Sequence, residues 1–355
     1  MDNIEQLQII REAQGDPALL ALATIELTLP EIPDAERSAL RLALEAAAVP
    51  HWCDATILTE LINAPEPVSR DRWTHLKALP VVESFPARGA DAGNVHEASR
   101  LPIRRYLAET QRTRFMELSA RSAQVFAADT RPVSRIEWIY HLLVADPERG
   151  AAELEDLDRL FSGSARHEDI AALSAALTEL DTTHILQGKA LVRARLVVAE
   201  YRADVAGASS VSDLATQLLQ MAETIEDDLL IGDAYSLVGE AAQARGDLAA
   251  AEQSYTQTLA IFKRLAALDP TNTSWQRSLA IAHSRVGDLA QDRGDLAAAE
   301  QSYTQTLAIS ERLAALDPTN TSWQRDLTTA HERVAGVARK GTRRRWRRIL
   351  KWFGR

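Results

Sequence analysis

Cysteine is nearly missing from this chain. Cys53 stands alone among 355 residues, so no intramolecular disulfide framework holds the fold together. Aromatics amount to 5%, and Gly and Pro number only 15 and 13; with Ala and Leu abundant, such a composition favours helices. No apolar run approaches the roughly 20 residues of a membrane-spanning helix. No N-terminal run has the charged, apolar and small-residue order of a signal peptide, so a cytoplasmic location is expected. The phosphate-cradling pattern G-x-x-x-x-G-K-[ST] does not occur, nor does a strand ending in acids that would hold magnesium beside it. Nucleotide hydrolysis is therefore not expected.

Other chemistry is thin as well. His96, His167 and His331 are each followed by Glu, but the fifth position is Arg100, Ala171 or Ala335, so the zinc motif H-E-x-x-H is never completed. His51 and Cys53 offer a base and a thiol without a third group to orient them. Trp138, Tyr140 and Leu143 fall at helical spacing and read as core. We assign no catalytic residue, no metal ligand and no cofactor; the chain reads as a non-enzyme.

Charge is unevenly spread. The formal net charge is −10, yet residues 339–355, "RKGTRRRWRRILKWFGR", hold nine Lys/Arg and no acid, which leaves −19 on residues 1–338. An acidic body carries a basic tail. Trp346, Ile349, Leu350 and Phe353 follow i, i+3, i+4, i+7 and share one helical stripe. Arg343, Arg344, Arg347, Arg348 and Lys351 fill much of the remainder, with Arg345 and Trp352 in the same segment. Such a basic amphipathic segment suits an anionic membrane surface, each cation contributing about 1 kcal/mol there. Docking into an acidic groove of its own chain, or on nucleic-acid phosphates with Trp stacked on bases, are the other uses.

The strongest pattern is internal repetition. Residues 246–277 and 294–325 differ only where Phe262 and Lys263 become Ser310 and Glu311, at an offset of 48. Each copy reads as a helix, a Gly-Asp turn, a second helix and an Asp-Pro stop. Gly294 closes one helix in the left-handed conformation, Asp295 caps the next, and Pro318 follows. The order Val286-Gly287, Gly294-Asp295, Leu296, Ala299, Tyr303, Pro318 resembles the tetratricopeptide repeat, a helix-turn-helix unit of 34 residues. Seven further residues lie between Tyr303 and Pro318 and seven between Pro270 and Val286. Seven residues turn a helix by about 700°, so each helix lengthens while its buried face stays within roughly 20°. A weaker unit begins at "IGDAYSLVGEAAQARGD", and "TNTSWQRDLTTAHERVAGVARK" supplies a closing helix, giving about two and a half units. A helical hairpin cannot bury its apolar face alone, so such units stack.

The resemblance implies a concave side lined by first helices that binds proteins or peptides. The family's groove positions fall on Ser236, Glu240 and Gln243 in one unit and on Ser284, Asp288, Gln291 and Asp292 in the next. The version that clamps a terminal carboxylate has Lys, Asn and Arg there. Acids in those places point to a basic or neutral partner, the alternative being a solvated acidic face with no ligand.

Residues 31–110 read as three helices and two short strands. "IPDAERSALRLALEAAAVP" opens with Asp34 as a helix cap, and "CDATILTELI" and "SRDRWTHLKAL" follow; "VVESF" and "NVHE" flank a loop. This describes a winged helix. With "GDPALL" before it, "VHEASRLPIRRYL" closing it and "RIEWIYHLLVADPERGAAEL" after it, the stretch is similar to the winged helix and helical arm of STAND-type signalling NTPases. The resemblance implies a mainly α chain: a helical remnant at 1–30, a winged-helix domain at 31–110, a helical arm at 111–230, a tetratricopeptide-like α-solenoid at 231–338 and the tail at 339–355. It also implies a sensor or scaffold that works with a separately encoded NTPase or effector. The competing class is a DNA-associated regulator, using Arg70, Arg72, His75 and Lys77 of the third helix together with the tail; Asp71 and the acidic surroundings oppose it.

Overall fold

The computed structural model describes the backbone of residues 3–162 and 167–353, and the side chains of 6–161 and 167–340. Among the described residues are seventeen α-helices, one short 3-10 turn and one two-stranded sheet. The chain is mainly α. It divides into two compact units, residues 1–154 with 176–190, and residues 155–175 with 191–355.

In the first unit, α1 (Asn3–Glu12) precedes α2 (Pro17–Thr28), whose first turn is capped by Asp16. α3 (Asp34–Ala47) departs from expectation at its start. Asp34 is already helical, and Pro33 holds the cap position without a side-chain bond; the Asp34 carboxylate turns along the helix to Arg37 instead. α4 (Ala55–Ile62) is capped by Asp54, which accepts from the Ile57 N–H at 2.8 Å. α5 (Glu66–Lys77) follows Pro65. β1 (Val82–Ser84) and β2 (Gly93–Val95) then pair antiparallel, with Val82 opposite Val95. Cys53, between α3 and α4, bridges to Gly93 through N–H···O bonds of 2.8 and 2.9 Å in the two directions. Trp73 on α5 is buried beside this ribbon and donates to the Asp91 carbonyl at 2.9 Å.

α6 (Glu97–Thr110), α7 (Arg112–Ala127) and α8 (Pro132–Ala145) follow. Trp138, Tyr140 and Leu143 are buried, as their spacing predicts. They share the interior with charge. Glu137 takes His51 Nδ1 at 2.8 Å and His141 Nε2 at 3.5 Å, while Glu179 is engaged by Arg100 and the Tyr140 hydroxyl. Arg104, fully buried, donates to the Val49 carbonyl and lies 4.5 Å over the Tyr140 ring. Burial brings His141 down to about 4, even though Glu137 beside it favours the charged form. Cys53 is buried too, which pushes its thiol well above the ordinary range.

α9 (Pro147–Ser162), α10 (His167–Thr182) and α11 (Gly188–Ala206) contribute residues to both units. The second unit continues with hairpins: α12 (Ser212–Ile225) after α11, then α13 (Asp228–Ala244) with α14 (Leu248–Leu268), and α15 (Thr273–Asp292) with α16 (Leu296–Leu316). α17 (Thr321–Phe353) closes the row. α14 and α16 run 21 residues and α15 runs 20, so the long period is taken up as helix. The hairpin turns are built alike. Gly246 and Gly294 sit at φ 80° and 77°, where a side chain is strained, and the N–H groups of Asp247 and Asp295 reach back to Ala242 and Ala290 at 3.0 and 2.9 Å. Asp247 and Asp295 then cap the second helices, each accepting from an Ala N–H at 3.1 Å.

Tyr255 and Tyr303 explain the paired glycines. A Cβ on Gly239 or Gly287 would lie 2.5 Å from the ring of the tyrosine on the following helix, so glycine is what lets each hairpin close. α17 has no such partner. The α15 positions Ala280 and Gly287 are buried, whereas their counterparts Thr328 and Ala335 in α17 are exposed. A tetratricopeptide-like helical repeat array is thus built from the chain's own periodicity. The hairpin of α11 and α12, which sequence reading placed in the arm, joins it through a shared core of Val192, Leu196, Leu218, Leu230 and Leu237.

Among the described residues no helix is long and apolar enough to cross a membrane. The side chains expected to form the tail's stripe, 343–353, lie outside the described ones.

Candidate binding cleft on the first helices

First helices of successive hairpins lie side by side, and the 48-residue period places equivalent side chains in rows. One row is an ion-pair ladder. Arg285 on α15 meets Glu240 on α13 at 2.6 Å, and Arg333 on α17 meets Asp288 on α15 at 2.6 Å. Acid and base are 45 residues apart in both rungs. Burial pushes the Glu240 carboxyl up while Arg285 draws it back. Other links join the same helices: Gln243 donates to Asp292 at 2.6 Å, Arg277 to Asp326 at 2.6 Å, and Arg333 also to Ser284.

The expected groove residues are thus found on one face, and most are engaged within it. Ser236 lies 3.4 Å from Glu240, Gln243 also accepts from the Tyr255 hydroxyl at 2.8 Å, and Asp288 accepts from that of Tyr303 at 2.7 Å. Gln291 is half-buried and contributes its carbonyl to the Gly294 turn. Sequence reading placed no arginine here. Arg285 and Arg333 are nevertheless related by the period, and comparing copies at that offset was the available signal.

The row opens into a cleft of about 270 Å³ beside α9, α11, α13 and α15, to which Ser236 and Glu240 contribute. Arg193 of α11, 5% exposed, is held there by Glu155 at 3.3 Å and Asp233 at 2.6 Å. Arg159 of α9 pairs with Glu155. Burial, with Arg193 and Arg277 nearby, brings Arg159 down to about 10, still protonated at neutral pH. Glu200 is the opposite case. Neighbouring protein, then Asp158, Asp233 and Glu240, push its carboxyl above the usual range, although the residue is exposed to solvent.

The side chains named for the alternative DNA-reading helix each have an acidic neighbour. Arg70 is engaged by Glu66, Lys77 by Asp91, and Arg72 lies 3.6 Å from Glu36 and His75 3.6 Å from Asp71.

No protein-family model matches the chain, and no curated protein matches it. Among solved structures it is similar to a Signal Transduction ATPase with Numerous Domains (STAND) protein with a tetratricopeptide repeat sensor from Pyrococcus horikoshii, at 12% identity and a TM-score of 0.34. That likeness covers 98% of this chain and spans 58% of the other. It is also similar to a Rap protein complexed with competence and sporulation factor, at 16% identity and a TM-score of 0.31, over 94% of this chain and 97% of that one. At these identities and scores neither likeness says what the chain does.

Proposed function

We propose that the chain is a non-catalytic interaction scaffold whose helical repeats hold a protein or peptide partner against their first-helix face. The observation that carries this reading is the open cleft on that face, whose charges are only partly matched by one another. Its chemistry is that of recognition: fixed carboxylates and guanidinium groups on rigid helices. The test is a photo-crosslinking residue placed at Ile281, which lines the cleft and is 42% exposed, against the same residue at exposed Thr304 on the second helix α16. Specific crosslinks are expected from position 281 only. The same products from both positions would overturn the reading.

In its finer form the chain is the sensor of a STAND-like signalling system whose nucleotide chemistry belongs to a separately encoded NTPase or effector. Residues 31–110 are then a winged helix, supported by the order helix, Cys53 bridge, two helices and β ribbon. The local matching of Arg70, Arg72 and Lys77 supports a packing role for it over DNA reading. The tail docks on anionic membrane. Co-sedimentation with anionic liposomes that requires residues 339–355, with no shift of random duplex, is the expected outcome; salt-sensitive duplex binding that requires Arg70 and Arg72 would replace it with the DNA-associated reading.

A further inference from the structure

Two acids are buried among the described residues, Glu45 at 2% and Glu137 at 4% exposure, and they are neutralised in different ways. Glu45 is held by the guanidinium group of Arg114, with that of Arg41 at 3.8 Å. Those charges do not titrate. Glu137 has no lysine or arginine paired with it among the described residues. Its partners are imidazoles: His51 Nδ1 lies at 2.8 Å and His141 Nε2 at 3.5 Å, and the His51 backbone N–H donates at 3.4 Å. Burial keeps His141 neutral at pH 7, so the counter-charge of Glu137 is the proton on His51.

The geometry around His51 agrees. Its two ring nitrogens face carboxylates on different helices, Glu137 of α8 and, at 3.5 Å, Glu179 of α10. A neutral ring has one donor and would turn a lone pair toward one of them, whereas an imidazolium donates to both. The other charged and titratable groups around the His51–Glu137 pair are Arg100 and Arg104 of α6 and Tyr140 and His141 of α8, the Tyr140 ring centroid lying 4.4 Å from that of His51. Burial and Arg100 oppose the imidazolium, Glu137 and Glu179 favour it, and the balance raises His51 above the ordinary 6.5. Access differs as well: the His51 side chain is 26% exposed and that of Glu137 6%. Water can therefore take the proton from His51 without first reaching Glu137.

The chain on either side of His51 is anchored by contacts that do not depend on its charge. Arg104 holds the Val49 carbonyl, and Cys53 exchanges backbone bonds with Gly93. Between these anchors the Trp52 indole N–H is buried without a hydrogen-bond partner, and its ring packs 5.6 Å from that of Phe126. Glu179 keeps Arg100 and Tyr140 whatever the state of His51. What the proton decides is the seat of residues 50–52 on α8.

We propose that His51 is a proton-operated pin: charged, it seats the turn of residues 50–52 on Glu137; uncharged, it leaves a carboxylate in the interior without a counter-charge, so the turn lifts, Trp52 leaves Phe126 and water reaches Glu137. The first unit thus answers a rise in pH above 6.5 by a local opening at one turn. This device lies outside the repeats and does not depend on the scaffold reading. It is also separate from His141, whose effect appears as pH falls.

The test is fluorine NMR of the full chain carrying 5-fluorotryptophan, from pH 6 to pH 9, with W52F identifying the Trp52 line among those of the seven tryptophans. We expect that line to move reversibly with one midpoint above pH 6.5. It should gain a shift between H2O and D2O only on the high-pH side, where water has reached the ring. H51Q should hold the line at its high-pH position throughout. E137Q removes the charge that retains the proton and should lower the midpoint by at least about one unit, a tenfold loss of proton affinity at His51. If H51Q does not fold, E137Q decides alone. A Trp52 line that stays flat from pH 6 to pH 9, one that titrates without the solvent shift, a titration that persists in H51Q, or an unchanged midpoint in E137Q would each overturn the proposal.

Discussion

The two near-identical stretches, 246–277 and 294–325, fold alike and are wired differently. Tyr255 donates its hydroxyl to Gln243, whereas Tyr303 donates to Asp288, which Arg333 also holds. Phe262 packs over Gly232, where an added Cβ would lie 2.9 Å from its ring. Its counterpart Ser310 is buried in a hairpin whose matching first-helix residue is Ala280. The second hairpin lacks the large ring and carries a methyl group on the facing helix where the first has none. A copied sequence thus reproduces a hairpin and its turn, while residues outside the copy choose the polar partners, and one of the two substitutions within it changes how the core is filled.

The most severe way to break this comparison is to remove the tyrosines. Tyr255→Ala and Tyr303→Ala should each cost about 3–5 kcal/mol in urea unfolding, and should agree within about 1 kcal/mol if the hairpins are equivalent. A large disagreement would show that the neighbours outweigh the copy.

The non-repeating region sharpens the contrast, because there charge is buried instead of lying in an open ladder. His141 is neutral in the fold, its pKa lowered to about 4 from an ordinary 6.5. As pH falls from 6.5 through 4 the unfolded chain takes up a proton that the folded chain refuses, so this group removes stability over that window, on the order of 3 kcal/mol in full. His51 acts in the opposite sense, its pKa being raised with Glu137 and Glu179 beside it. It contributes stability below its unfolded pKa and loses it as pH rises through the folded one. Denaturant titrations at pH 7 and pH 4.5 should show H141F losing less stability on acidification than the wild type. An identical loss would remove His141 as the cause.

A smaller effect tests how the two hairpins are filled. Ser310→Phe overpacks its hairpin and should cost about 1–3 kcal/mol; adding Ala280→Gly should restore part of it, with a coupling of at least about 1 kcal/mol in a double-mutant cycle. Additive losses would show that positions 280 and 310 do not share the space that Gly232 and Phe262 share. The smallest effect belongs to the ladder. Arg285→Ala and Arg333→Ala should each change stability by about 1 kcal/mol or less, as partly exposed ion pairs do, and less still in high salt.

Much of this was legible in the chain itself. The Gly-Asp pairs at 246 and 294 are turn and cap signals, and each ends one helix and starts the next where it stands; the helix expected over "CDATILTELI" starts two residues later, with Asp54 as its cap. Asp34 was misread because Pro33 competes for the same cap position, its fixed φ already suiting a helix start. The seven positions carried over to the groove fall on one face, but their meaning changed: Glu240 and Asp288 read as open acids until Arg285 and Arg333, 45 residues further on, were found beside them. The hairpin of α11 and α12 escaped notice because it shares the packing of the repeats without sharing their residues.

The sequence by itself determined the helices, their turns, the 48-residue period and the glycines that admit Tyr255 and Tyr303, since each of these depends on residues near in sequence or repeated at a fixed interval. Only the tertiary structure decided which carboxylates have a cation and which do not. That outcome depends on how neighbouring helices align side chains some 45 residues apart, and charges act through space, not along the chain.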